Sequence, residues 1–84
     1  MSLGFKADEV VDAQGLFCPM PAVKLKMKLE MVKAGQVIEL IATDPAARED
    51  IPAWSEATGQ ELLGFEETQG VWHFFIKKSE SRQL

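Results

Sequence analysis

The 84-residue chain contains one cysteine and one histidine. A single thiol cannot close an internal disulfide, and it rules out Cys-x-x-Cys redox chemistry with a resolving partner. One cysteine and one histidine cannot fill the four positions of a structural zinc site, so no metal or other cofactor is expected. Cys18 and His73 also make a poor protease pair, because no third group is apparent to orient the imidazole. Cysteine this scarce suits a reducing compartment, and a cytoplasmic setting is expected. No apolar run approaches the roughly 18–20 residues that cross a bilayer. The stretch Met1–Lys6 is too short and too polar for a signal peptide, so no membrane partner is expected. Basic residues are outnumbered: 9 Lys and Arg face 13 Asp and Glu, for a formal net charge of −4. The sequence pI is about 4.9. Nucleic-acid binding usually needs a basic face, so direct binding of nucleic acid is not expected.

What is present fits one small domain over 1–84, with its core over about residues 8–78 and polar ends. A domain of this size buries roughly 60–65% of the surface its unfolded chain exposes. A short strand is expected over Glu9–Ala13. A helix follows from about Pro19 to Lys33, with Gly35 as its left-handed cap. Its core stripe is Ala22, Leu25, Leu29 and Val32. A strand over Gln36–Thr43 alternates Val37, Glu39 and Ile41 with Ile38, Leu40 and Ala42, and Glu39 marks its less buried face. Asp44-Pro45 opens a turn, and Pro52 is expected to confine a second helix to about Asp50–Thr58, with Ile51, Trp54 and Ala57 inward. Gly59 ends that helix. Strands over Glu61–Thr68 and Val71–Lys78 flank a Gln69-Gly70 turn. The last strand is apolar on both faces and should be central. The order βαβαββ predicts an α+β two-layer sandwich: a mixed four-stranded sheet with both helices on one face.

The segment with chemical content is Cys18-Pro19-Met20-Pro21, at the start of the first helix. Proline in the first helical turn is tolerated because the N–H groups there have no partner inside the helix. A helix N-terminus stabilises a thiolate through those N–H groups and the dipole. At an exposed position the dipole contributes about 0.3–1 kcal/mol, which is less than about one pKa unit. A moderately activated thiol is expected, with Lys24 nearby. Gly15, Pro19 and Pro21 would shape the loop that presents it. A thiol with no resolving partner can exchange with sulfurs on other proteins by direct thiolate attack. One cargo open to such exchange is a persulfide on Cys18, among the reversible caps of cysteine.

The run Asp12-Ala13-Gln14-Gly15-Leu16-Phe17-Cys18-Pro19-Met20-Pro21 resembles the TusA/SirA family of sulfur-carrier proteins. The resemblance continues through Gly35, Asp44-Pro45-Ala46, Asp50-Ile51-Pro52, Gly59 and the closing hairpin, over about residues 8–78. It implies a fold like the C-terminal domain of translation initiation factor 3. It also implies that Cys18 carries sulfane sulfur as a persulfide. Donors would be cysteine desulfurases or rhodanese-type sulfurtransferases. Acceptor proteins would serve tRNA thiolation, molybdenum-cofactor formation or sulfur oxidation. Two positions depart from many relatives: Ser55 stands where they have a second cysteine, and Met20 where some have an acid.

Several side chains have a plainer reading beside the functional one. Val23, Met27 and Met31 form a second stripe, expected to pack against the second helix; the alternative is an adaptable contact surface. Lys24, Lys26 and Lys28 are either a solvated face or a docking patch, and Met20, Lys24 and Lys26 would form the partner-contact rim. Asp44 and Asp50 read as helix caps, Arg48 as a solvated loop residue and His73 as an exposed strand residue. Trp54, Trp72 and Phe74 read as core. The leading expectation is a sulfur-relay carrier without independent turnover. The rivals are a non-enzymatic RNA-binding or regulatory module that uses the fold and not the thiol, and a small thiol reductase working with glutathione.

Overall fold

Alternation along the strands decides which side of the sheet is covered. The computed structural model describes residues 6–17 and 20–79. Its elements are β1 (Glu9–Ala13), α1 (Met20–Leu29), β2 (Val37–Ala42), α2 (Ala47–Thr58), β3 (Glu61–Thr68) and β4 (Val71–Lys77). The four strands form one sheet in the order β1-β2-β4-β3. β1 and β2 are parallel, and β4 runs antiparallel to both β2 and β3. The doubly apolar β4 is therefore central, as its composition predicts.

Register puts Ile38 opposite Ile76 and Leu40 opposite Phe74, and all four are fully buried. With Val11, Ala13 and Ala42 they line the covered face, against Leu25 and Leu29 of α1 and Ala47 and Ile51 of α2. α1 lies on β1 and β2, α2 lies on β3 and β4, and the two helices touch. Glu39 falls on the opposite face, as expected. There it meets His73, with Nδ1 2.7 Å from Oε2. That contact leaves His73 half-buried and not the exposed residue foreseen.

Helix limits differ from expectation at three places. α1 ends at Leu29 and not Lys33. Past that point the Met31 N–H turns back to the Lys28 carbonyl, the Lys33 N–H goes to Gln36 Oε1, and Lys78 Nζ takes the Val32 carbonyl. Val32 still packs in the core from outside the helix. Gly35 does not cap α1; its N–H donates to the Lys78 carbonyl at 2.8 Å and leads the chain into β2.

α2 begins at Ala47 and continues past Pro52. Its opening turns close before the proline: Asp44 Oδ1 accepts the Ala46 N–H, and the Asp44, Pro45 and Ala46 carbonyls accept from Ala47, Arg48 and Glu49. Pro52 then gives up a single rung, the bond to the Arg48 carbonyl. Glu49 and Asp50 in the first turn suit the positive end of the dipole. The inner face is Ala47, Ile51 and Ser55, with Trp54 half-buried, while Ala57 is exposed. Six residues turn an α-helix about 120° past Ile51, so Ala57 cannot share its face. Gly59 ends α2 in the left-handed conformation, as expected. The hairpin turn carries φ of 53° at Gln69 and 83° at Gly70, the two positive values of a type I′ turn.

Candidate functional site

Parallel pairing of β1 and β2 sends both strand-to-helix turns to the same end of the sheet. The turn leaving β1 is built from Ala13 to Leu16, where the Leu16 N–H donates to the Ala13 carbonyl at 3.2 Å. Gly15 holds the third position with φ +81°, the sign a type II turn demands there. Asp12 Oδ1 accepts the Gln14 N–H at 3.0 Å and tightens the same turn. The Gly15 N–H donates to Thr43 Oγ1 at 2.9 Å, which ties this loop to the turn leaving β2. Trp72, opposite Ala42, brings the start of β4 to the same end. The Arg48 guanidinium sits 5.9 Å from the Trp72 ring centroid.

Cys18 and Pro19 lie outside the described residues. The residues that bracket them are drawn together by the Met20 N–H, which donates to the Phe17 carbonyl at 2.8 Å. Both brackets face solvent: Phe17 is 74% exposed and Met20 45%. Pro21 is buried in the first turn of α1. Lys24 reaches back along the helix, and its Nζ donates to the Asp12 carbonyl at 3.0 Å, beside the motif loop. Lys26 turns the other way and pairs with Glu30 at 3.0 Å. Both partners are exposed, so that ion pair contributes only about 0.3–0.5 kcal/mol. Gly15, Met20, Pro21 and Lys24 thus gather at one end, and Lys26 stands apart from the loop.

The expected packing of Val23, Met27 and Met31 against α2 does not occur. They are 40%, 61% and 77% exposed. α2 covers the β3–β4 half of the sheet and reaches only the flank of α1. Two contributors to the site carry no clear sequence signal. Thr43 is an ordinary strand-end residue until its hydroxyl is found on Gly15. Phe17 reads as core by type, yet its ring is open to solvent. Among the described residues, no group of three or more His, Cys, Asp or Glu is placed to hold a metal ion. No helix among them is long and apolar enough to cross a membrane.

Fold and motif together define a class: small two-layer α+β domains, helices on one side, with a Cys-Pro-x-Pro segment where two parallel strands end. Comparison narrows the class to a family. The family model described as sulfurtransferase TusA matches residues 9–78, and the chain belongs to the TusA family. It is 44% identical over 72 residues to the sulfur carrier protein TusA of Allochromatium vinosum, covering 86% of this chain and 95% of that one. It is 45% identical over 73 residues to the putative sulfur carrier protein YrkF of Bacillus subtilis. That match takes in 87% of this chain but spans only 40% of the Bacillus protein's length. The fold matches a crystal structure of a SirA-like protein from Desulfitobacterium hafniense with a TM-score of 0.74 and 27% identity. The match covers 86% of this chain and 99% of that one.

Proposed function

We propose that this chain is a sulfur-relay carrier in which Cys18 takes sulfane sulfur as a persulfide and hands it to an acceptor protein. The single observation that carries the reading is the placement of the motif in a TusA-family chain. Its bracketing residues Phe17 and Met20 open to solvent at the end where both strand-to-helix turns meet. In the loading step the Cys18 thiolate attacks the outer sulfur of a persulfide on the donor, a cysteine desulfurase or rhodanese-type protein. A new S–S bond forms on Cys18, the donor's S–S bond breaks, and the donor thiolate leaves and takes up the proton. One persulfide and one thiol become one thiol and one persulfide, with no outside oxidant. Delivery repeats the exchange, with an acceptor nucleophile attacking the terminal sulfur.

The chain's other residues set up that exchange. Gly15 turns the chain into the motif, and Pro19 and Pro21 stiffen it. Pro21 in the first turn of α1 also removes an amide donor, so the thiolate is held weakly enough to give its cargo away. Met20, Lys24 and Lys26 supply the contact rim. Incubation with a cysteine desulfurase and L-cysteine should raise the intact mass by one sulfur atom, and the Cys18→Ser variant should gain none. Equal labelling of the two proteins would end the proposal.

A further inference from the structure

Methionine is among the side chains most often found fully buried. Here, among the described residues, none lies in the core. Met20, Met27 and Met31 are 45%, 61% and 77% exposed. Met20 and Met27 recur at helical spacing on the side of α1 away from Leu25 and Leu29, which hold the core. Met31 follows in the turn past the helix end, where its N–H meets the Lys28 carbonyl. Packing gives these three thioethers no task, and burial gives them no shelter.

A reachable thioether takes up oxygen to become a sulfoxide. The surroundings favour an anionic oxidant. Lys24 lies four residues after Met20 and three before Met27, and Lys28 lies three before Met31, so each methionine has a lysine beside it on the helix surface. Lys24 holds its charge against a neutral carbonyl, and Lys28 meets Glu9 only at 3.6 Å. A local cluster of such charges draws small anions. Hypochlorite is one, and lysine amines also take chlorine from it as N-chloramines, which pass it to a neighbouring thioether.

We infer that Met20, Met27 and Met31 form a modification site for hypohalous acids and N-chloramines, and that the sulfoxide form stays folded but is loaded poorly by a protein donor. This rests on the carrier reading and adds a regulation to it. The thioether lone pair attacks the chlorine of hypochlorous acid. A sulfur–chlorine bond forms, the oxygen–chlorine bond breaks, and water then displaces chloride from sulfur. Sulfur is oxidised by two electrons and chlorine is reduced to chloride. Each event leaves one sulfoxide, one chloride and one proton. The product is polar and chiral where an adaptable apolar side chain stood, on the helix whose start supplies the contact rim. Methionine sulfoxide reductases reverse the change. The switch thus acts on protein contact and leaves the Cys18 thiol as it was.

The test separates the thioethers from the thiol. Cys18 of the full chain is capped with methyl methanethiosulfonate, the chain is treated with taurine chloramine, and dithiothreitol then removes the cap but not the sulfoxides. Peptide mapping should place one added oxygen atom on each of Met20, Met27 and Met31, and the urea midpoint should stay in place. Loading by a cysteine desulfurase with L-cysteine, followed by intact mass, should slow at least about fivefold, as loss of apolar anchors at an interface implies. Loading by inorganic polysulfide, which needs no docking, should keep its rate. Methionine sulfoxide reductases of both epimer specificities should restore enzymatic loading. The triple variant Met20→Leu/Met27→Leu/Met31→Leu, which cannot take the oxygen, should load at equal rates with and without the oxidant. Full-rate enzymatic loading of the sulfoxide form leaves the carrier reading standing and overturns this inference. So does a lowered urea midpoint, a parallel loss of polysulfide loading, an equal loss in the triple variant or a failure of the reductases to restore the rate. An untreated chain that takes no sulfur from the enzyme overturns the carrier reading and the inference together.

Discussion

Replacing Ser55 with alanine should make this protein more stable. Ser55 is 2% exposed, on the inner face of α2, and its Oγ has no hydrogen-bond partner among the described residues. Its carbonyl is used, accepting from the Gln60 N–H at 2.9 Å, but the hydroxyl is idle. A buried polar group left unpaired costs about 1–3 kcal/mol. Alanine is also the better helix former, by about 0.5 kcal/mol. Against these stands the void left by one oxygen, on the order of 20 Å³, worth about 0.5 kcal/mol at about 24 cal/mol per Å³. The balance favours Ser55→Ala by about 1–2 kcal/mol, near the lower end of the sum of those terms. For a domain of this size each kcal/mol moves Tm by about 4–8 °C. Urea titration should show a higher midpoint with an unchanged m value, which assigns the gain to stability and not to a changed unfolded state. Ser55→Cys, with its weak S–H donor, should behave as a small apolar residue and be at least neutral. A lower midpoint for Ser55→Ala would mean that the hydroxyl has a partner, and the reasoning would fail.

Two further substitutions probe the motif loop. Gly15→Ala should cost about 1–2 kcal/mol, the penalty for an L side chain in the left-handed region. A Cβ there meets nothing within 4 Å among the described residues, so thermal melting would read a backbone effect. Gly15→Asn, which tolerates positive φ, should lose less, and equal losses for the two would point to a clash instead. Thr43→Val removes the acceptor for the Gly15 amide and should lower stability by about 0.5–1.5 kcal/mol. Hydrogen exchange at that amide should quicken more than at the amides paired between β2 and β4. A uniform change across the sheet would show that the bond does not hold the loop.

Much of the fold is legible in side-chain alternation. Glu39 identifies the open face of β2, and the two apolar faces of β4 place it inside the sheet. Apart from Ala57, which helix rotation alone places outside, the misjudged helix limits share a cause: local rules met a competing tertiary or capping interaction. Pro52 breaks helices on its own, yet the bonds gathered around Asp44 nucleate α2 ahead of it. Gly35 looks like a cap, but the Lys78 carbonyl just past β4 claims its N–H first. The core stripe of α1 is legible from spacing alone. The fate of its second stripe is not, because that depends on which half of the sheet α2 covers. In the candidate site, the motif loop is legible as a loop. Its tie to Thr43 needs the parallel register of β1 and β2, which no local pattern encodes.

That register also accounts for the joining of two distant motif segments. In a β-α-β-α path with parallel strands, each strand delivers its following turn to the same end of the sheet, where ligand sites of open α/β sheets lie. Gly15 and Asp44-Pro45 therefore become neighbours by topology, and the Gly15–Thr43 hydrogen bond fixes the distance between them. The same path leaves α1 with one face on the sheet and one in solvent. Leu25 and Leu29 answer to stability, while Met20, Val23 and Met27 do not. Substitutions on the outer face are thus free to change what the helix meets without loosening the core. A helix with a single apolar stripe would offer no such separation, since every change of partner surface would be drawn from polar residues already held by solvent.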